Sequence, residues 1–167
     1  MTAEINKNVK KYESYKYAFE RLQEAIEREF FLESIVIAES IIADRLLSYM
    51  VERIQVLELS DKLPTPRTHL GQLIQQWARL EQKVSYRDWE DLISEVDKWR
   101  GDRNECAHGL VKSNPGDSTK PVVEFLSTAR ECALQGKQLA RDVCDWTQRR
   151  KSQIRKEAQL QKIENLE

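Results

Sequence analysis

Glycine and proline are scarce in this chain of 167 residues, with five and four copies respectively. Their scarcity excludes collagen-like and low-complexity sequences and leaves few places where a helix must break. No run of about 18 uncharged apolar residues exists, and residues 1–11 lack the apolar segment of a secretory signal. The three cysteines form no Cys-x-x-Cys pair, which fits a reducing compartment better than a disulfide framework. We therefore expect a soluble, cytoplasmic protein without a membrane partner.

A strong net charge is also missing, because 27 Lys and Arg residues are balanced by 28 Asp and Glu residues. The chain as a whole therefore does not attract polyanions, and any nucleic-acid binding has to come from a local patch or from a groove between two copies. The abundant residue types are Leu, Ile, Glu, Gln, Arg and Ala, which favour helices. The length is that of one domain with a single hydrophobic centre.

Apolar residues recur at helical spacing in five segments, which predicts an all-α fold with a long C-terminal helix. The predicted helices span about 12–29, 30–57, 69–82 and 86–111, with the fifth running from about 122 through 146. We expect residues 1–11 to be a loose lead-in and Thr68 to cap the third helix. We expect residues 1–147 to form the helical domain. We expect residues 148–167 to form a basic, partly helical tail that few contacts hold to the core. The basic residues of this tail form either a solvated face or an extension of an RNA-binding track.

The fourth predicted helix carries a cation in an unusual position. When its residues are projected at about 100° each, Arg103 falls near the middle of the apolar face. Glu39 occupies the matching position inside the apolar stripe of the second helix. Since an unpaired buried charge costs several kcal/mol, we predict that Glu39 meets Arg103, directly or through Arg100. Gly101 is expected to allow a neighbour to approach closely.

Two further polar residues stand beside this cation. Asn104 follows Arg103 directly, and His108 lies one helical turn after Asn104. His108 and Arg103 each have a structural interpretation as well, since a histidine at a helix C-terminus is favourable to the helix dipole and an arginine can form a salt bridge, here with Glu39. Cys106 and His108 supply too few ligands, in no recognised spacing, for a zinc site, so we expect no metal.

The pattern Arg103-Asn104-x-x-x-His108, closed by Gly109 at a helix end, resembles the signature of the HEPN superfamily. Its members are small all-α domains, and many are metal-independent ribonucleases of toxin, abortive-infection and CRISPR systems. The resemblance implies an up-and-down, HEPN-like bundle of four to five helices in a homodimer whose two motifs face one cleft. It also implies RNA as the substrate, no cofactor, and a possible cognate antitoxin or inhibitor protein as a partner.

In such a ribonuclease, the ribose 2′-hydroxyl attacks the adjacent phosphorus. The resemblance assigns proton exchange to His108, stabilisation of the phosphate charge to Arg103, and orientation of the substrate or the imidazole to Asn104. Glu39 and Arg100 would support the site, and Arg100 is an alternative phosphate ligand. On one helix Arg103 and His108 point about 140° apart, so a dimer would be needed to bring the two groups together. The alternative is a non-catalytic HEPN-like module that binds nucleotides or another protein.

Overall fold

The structure, a computed structural model, describes residues 2–85, 91–109 and 121–164. These residues form five helices, α1 (Thr2–Glu27), α2 (Phe31–Val56), α3 (Leu70–Glu81), α4 (Leu92–Gly109) and α5 (Val122–Glu164), and no strand occurs among them. The predicted all-α class and the long C-terminal helix are confirmed, since α5 has 43 residues. None of the helices in the described ranges is long and apolar enough to cross a membrane.

Helix α1 begins at Thr2, so the loose lead-in expected for residues 1–11 is wrong. The segment contains no glycine or proline before Glu27, and its Glu, Lys and Ala residues are good helix formers that need no buried face to adopt a helical backbone. Farther along α1, Leu22 and Ala25 are fully buried. The helix ends at the turn where Glu29 adopts a positive φ of 61°.

Helix α2 supplies a continuous stripe of buried apolar side chains. Its predicted inner stripe is buried throughout, at Ile35, Ala38, Ile42, Leu46, Met50 and Ile54. Two residues predicted to thicken the stripe are instead exposed, Leu32 by 39% and Val36 by 59%. Both lie in the first half of α2, which therefore presents apolar side chains to solvent.

Helix α3 begins at Leu70, one residue later than predicted. The N-cap is His69 rather than Thr68. The Thr68 hydroxyl instead accepts a hydrogen bond from the Thr65 backbone N–H at 2.9 Å, and this turn holds the Thr68 side chain away from the first helical turn. The inner face agrees with the prediction, because Leu73, Ile74 and Trp77 are buried.

Helix α4 is started by a carboxylate that the apolar pattern did not indicate. Asp91 Oδ1 accepts hydrogen bonds from the N–H groups of Val84 at 2.9 Å and Ile93 at 3.2 Å, and Oδ2 accepts from the Ser94 hydroxyl at 2.7 Å. Burial alone would raise the pKa of Asp91, but these hydrogen bonds outweigh it and hold the pKa below its usual value. The expected start of this helix near residue 86 and its end at 110–111 lie outside the described residues.

Helix α5 continues without a break through the segment expected to be a partly helical tail. Ile154 is fully buried, and Lys151 and Arg155 contact Glu52 on α2 at 3.3 and 2.5 Å. The weak attachment predicted for this segment is therefore wrong, because ion pairs join it to α2 and one of its side chains is fully buried. At the other end of α5, Phe125 is buried while Leu126 is exposed by 47%, so the inner face is displaced from the predicted one.

The chain divides into two compact units. The first comprises Met1–Ile41 and Gly101–Gln138, and the second comprises Ile42–Arg100 and Leu139–Glu167. Helices α2, α4 and α5 each contribute one part to either unit. The motif around Arg103 and its partner Glu39 belong to the first unit.

Candidate active site

Arg103 forms the predicted ion pair with Glu39. Its Nη2 contacts Glu39 Oε1, so that the C-terminal part of α4 is joined to α2. The two side chains are 23% and 22% exposed, which makes the pair partly buried rather than fully enclosed. Burial lowers the pKa of the Arg103 guanidinium from its usual value, although an arginine remains charged throughout the physiological range. Direct pairing, the first of the two predicted routes, is confirmed.

Asn104 holds the other side of the same guanidinium. Arg103 Nη1 donates a hydrogen bond of 2.7 Å to Asn104 Oδ1. Glu39 and Asn104 therefore fix the plane of the guanidinium from two directions. Each terminal nitrogen of an arginine carries two hydrogens, so a bond to each leaves further donors for another acceptor. The role that the structure gives Asn104 is to position Arg103.

The third donor nitrogen of Arg103 is unsatisfied. Its Nε is buried and has no hydrogen-bond partner within the part of the chain that the structure describes. A buried donor without an acceptor costs roughly 1–3 kcal/mol. A leucine at this position would avoid the cost, although the buried Nε of Arg53 in the second unit lacks a partner in the same way.

His108 lies on the last turn of α4, where it is exposed. The neighbouring Ala107 is also exposed, although the apolar pattern had placed it on the inner face. His108 is therefore open to a ligand that approaches from solvent. It stands five residues after Arg103, which corresponds to about 140° around the helix.

Cys106, between these two groups, points into the interior. It is 2% exposed, and its thiol is hydrogen-bonded to that of Cys132 on α5, which is 4% exposed. Burial raises the pKa of the Cys106 thiol, and the bond to Cys132 only partly opposes the shift. A thiol held in its protonated form is a poor nucleophile. Cys106 is therefore a packing residue of α4 and not part of the exposed chemistry.

Arg100 has partners of its own. Its Nε donates to Asp97 Oδ1 on the same helix at 2.9 Å, and its guanidinium lies 3.6 Å from where a Cβ on Gly71 of α3 would be. The supporting role expected for Arg100 remains a prediction. Gly101, next to it, is exposed, and an added Cβ would meet no atom within 4 Å. The close neighbour expected at Gly101 is therefore absent from the described part of the chain.

The basic residues of the C-terminal segment are largely occupied. Arg150 contacts Glu81 at 3.4 Å and Glu157 at 3.0 Å, while Lys151 and Arg155 both contact Glu52. These carboxylates balance part of the positive charge of the basic residues in this segment. The predicted solvated face is therefore wrong for Arg150 and Lys151, whose side chains are only 20% and 18% exposed, and the same ion pairs weigh against the alternative of an RNA-binding track.

A second polar cluster was not apparent from the sequence. The Tyr49 hydroxyl donates to Glu81 Oε1, and Arg53 contacts the same oxygen through Nη1. Arg53 Nη2 also donates to the Leu80 carbonyl at 3.0 Å, at the C-terminal end of α3. Tyr49 and Arg53 lie one turn apart on α2, and Arg53 Nη1 also donates to the Tyr49 hydroxyl at 3.2 Å. Glu81 belongs to α3, so spacing along the chain could not have linked it to these two residues. The cluster ties α2 to α3 within the second unit.

Comparisons with models of known protein families, with curated proteins and with solved structures found no match to this chain. No group of three or more His, Cys, Asp or Glu side chains placed to hold a metal ion occurs in residues 2–85, 91–109 or 121–164. The function therefore has to be inferred from the chemistry of the side chains themselves.

Proposed function

We propose that the chain is a metal-independent endoribonuclease of the HEPN type, acting as a homodimer in a toxin or anti-phage setting. The observation that carries the proposal is the Arg103 guanidinium, fixed by Glu39 and Asn104 on the same helix as the exposed His108. A cation with a fixed plane is suited to bind phosphate oxygens in pairs. An exposed imidazole is suited to exchange protons at neutral pH.

The proposed reaction needs both groups. The 2′-oxygen of the ribose bonds to the adjacent phosphorus, the bond to the 5′-oxygen breaks, and the products are a 2′,3′-cyclic phosphate and a 5′-hydroxyl. One His108 imidazole accepts the proton of the 2′-hydroxyl, and a water molecule gives a proton to the departing 5′-oxygen. Arg103 stabilises the additional negative charge that develops on the phosphate oxygens.

A dimer would resolve the divergence of the two groups on α4. His108 of one protomer could then act beside Arg103 of its partner across a two-fold axis. The first half of α2 supports an interface here, because the exposed Leu32 and Val36 precede Glu39 by about two turns and one turn. Exposed apolar side chains that lie at helical spacing are suited to pack against a second copy.

The test is incubation of the purified protein with end-labelled RNA in EDTA, followed by analysis of the product ends. We expect cyclic phosphate products from the wild type and a loss of at least about a hundredfold in His108→Ala and Arg103→Ala, as is typical for removal of a general acid–base or a charge-stabilising group. His69→Ala is the matched control, because His69 is the other histidine and is also exposed. Wild-type protein that leaves every RNA intact, or a loss as large in His69→Ala, would contradict the proposal.

Mixing the two inactive variants tests the shared site. A heterodimer of His108→Ala and Arg103→Ala chains contains one complete site instead of the two of the wild type, with the histidine from one protomer and the arginine from the other. If the chains pair at random, half of the dimers are mixed, so the mixture should recover about a quarter of wild-type activity. If each protomer instead carried a complete site, the mixture would stay inactive.

One observation favours the alternative function of a non-catalytic interaction module. Arg103 already has two partners from its own chain, Glu39 and Asn104, as a purely structural ion pair would. A module of this kind would show no cleavage, and Arg103→Ala would lower its stability without changing any activity.

A further inference from the structure

The second unit contains a pocket, and none of its lining residues belongs to the motif around Arg103. It has a volume of about 810 Å³ and lies between α3 and the loop that precedes it. This volume is within the range of roughly 300–1,000 Å³ that is usual for sites that bind small molecules. Its polar lining includes Lys62, Thr65, Gln72, Gln75 and Arg79.

The wall of the pocket is held in place by hydrogen bonds. Gln76, which is 8% exposed, donates from Nε2 to the Lys62 carbonyl at 2.8 Å and so fastens the loop to α3. Within the loop, the Thr65 N–H donates to the Thr68 hydroxyl at 2.9 Å, and the Thr68 N–H donates to the Thr65 carbonyl at 2.9 Å. A pocket whose wall is already ordered binds a ligand with a smaller loss of conformational entropy.

The charged groups of the pocket are positive. Lys62 and Arg79 both line it. Arg79 is 68% exposed, and its contact with Asp61 is long, at 3.6 Å, so that a ligand oxygen can compete for the guanidinium. A lysine and an arginine that line the same pocket are suited to bind a phosphate group, the arginine through paired hydrogen bonds and the lysine as a point charge.

The neutral groups of the pocket match a nucleobase. Gln75 offers an acceptor oxygen and two donor hydrogens, the combination that recognises the edge of a base. Gln72 adds two donor hydrogens, because its Oε1 already accepts a hydrogen bond from the His69 N–H at 3.3 Å. Leu63, which is 42% exposed, and Pro64 give the same pocket an apolar wall against which a flat ring can lie. An acidic peptide would use the cations but would leave the amides and the apolar wall without matching groups.

We propose that this pocket binds a nucleotide, with the phosphate at Lys62 and Arg79 and the base at Gln75 and Leu63. The same chemistry is offered by a free nucleoside monophosphate and by one unit of an RNA strand. Binding here does not depend on RNA cleavage at Arg103 and His108, so the two proposals can fail separately.

Calorimetric titration of the 167-residue chain tests the proposal with the four nucleoside monophosphates, the corresponding nucleosides, inorganic phosphate and a 2′-O-methyl hexanucleotide. The hexanucleotide cannot be cleaved through its 2′-position. We expect at least one monophosphate to bind about fivefold or more tightly than its nucleoside and than inorganic phosphate, since each partly exposed group adds up to roughly 1 kcal/mol. Binding of the hexanucleotide alone, with the variant pattern below, would assign the site to an RNA strand.

Three substitutions localise the binding. Lys62→Gln and Arg79→Gln should each weaken nucleotide binding about fivefold, and Gln75→Leu should reduce the preference for nucleotide over inorganic phosphate. The matched control is Arg67→Gln, because Arg67 is an exposed cation of the same loop that does not line the pocket. The proposal would be overturned if Arg67→Gln weakened binding as much as Lys62→Gln or Arg79→Gln. It would also be overturned if inorganic phosphate bound as tightly as the nucleotide, or if no probe bound at millimolar concentration. Activity on RNA in the same variants reports separately on the site at His108.

Discussion

The Tyr49 hydroxyl, on a side chain that is fully buried in α2, donates a hydrogen bond to the Glu81 carboxylate at the end of α3. Burial raises the pKa of Tyr49 above its usual value, and the Glu81 carboxylate adds to the shift. Arg53 contacts the same carboxylate oxygen, so that the charge of Glu81 is balanced in the folded chain. Folding therefore favours the neutral form of Tyr49, so the folded chain should lose stability at alkaline pH, where the tyrosine hydroxyl ionises.

Tyr49→Phe should make the protein less sensitive to alkali. Because the pKa of Tyr49 is higher in the folded chain than in the unfolded chain, Tyr49 does not reduce stability below the unfolded-state pKa of about 10. Above that pH the unfolded chain loses the Tyr49 proton first, so the free energy of unfolding falls by about 1.4 kcal/mol per pH unit for this one group. The substitution should lower the free energy of unfolding by about 1 kcal/mol at pH 7, where a hydrogen bond is lost, and should reduce the slope above pH 10. Urea unfolding at pH 7, 10 and 11 measures both effects.

Tyr17→Phe is the control for this experiment, since Tyr17 is 69% exposed. It should leave both the stability at pH 7 and the alkaline slope close to those of the wild type. An identical slope in the wild type and in Tyr49→Phe would contradict the coupling between burial and ionisation.

Glu39→Ala should lower the free energy of unfolding by about 2 kcal/mol. Removing one member of a fully buried pair costs about 3–5 kcal/mol, and exposed pairs contribute about 0–1, so a pair that is one-fifth exposed lies between the two ranges. Chemical denaturation gives the value, and a double-mutant cycle with Arg103→Met isolates the interaction between the two side chains. Glu131→Ala, at an exposed position of α5 in the same unit, should change stability by less than about 0.5 kcal/mol. A change as small in Glu39→Ala would mean that the pair contributes nothing.

The contact between Glu39 and Arg103 was predictable because each residue breaks the apolar pattern of its own helix. One unpaired charge on each of two buried faces requires a partner, and the opposite signs identify it. The inner stripe of α2 was predictable from the spacing of its apolar residues, since a helix with continuous apolar spacing has one face to bury. These features follow from local pattern and from the cost of burying charge.

Other features depend on contacts that spacing does not encode. The exposure of Leu32 and Val36 depends on which face of α2 the other helices cover, and the hydrophobic pattern alone does not give that face. The cluster of Tyr49 and Glu81 joins residues 32 positions apart on different helices. The capping role of Asp91 could have been suspected from Asp91 and Ser94 at the start of an apolar run, a usual sign of a helix N-terminus.

Gly101→Ala should raise the free energy of unfolding by about 0.5–1 kcal/mol. Gly101 is exposed within α4, and an added Cβ meets no atom of the described chain within 4 Å, so the gain in helix propensity has no steric cost. Gly109→Ala, at the last residue of α4, should bring a smaller gain because the final turn contributes less to the helix. Thermal unfolding at several protein concentrations shows whether the substitution raises or lowers the stability. A loss of stability that grows with concentration would instead place a second copy against Gly101.

Ile154→Ala should lower the free energy of unfolding by about 2–4 kcal/mol, the usual cost of emptying a buried isoleucine site. Ile154 lies in the C-terminal part of α5 and is fully buried, whereas Ile163 on the same helix is 58% exposed. Ile163→Ala is therefore the matched control, and its effect should stay below about 0.5 kcal/mol. Urea unfolding monitored by circular dichroism compares the two variants. Equal, small effects would mean that the segment after residue 147 does not pack on α2, and the contacts of Lys151 and Arg155 with Glu52 would then contribute little to holding it.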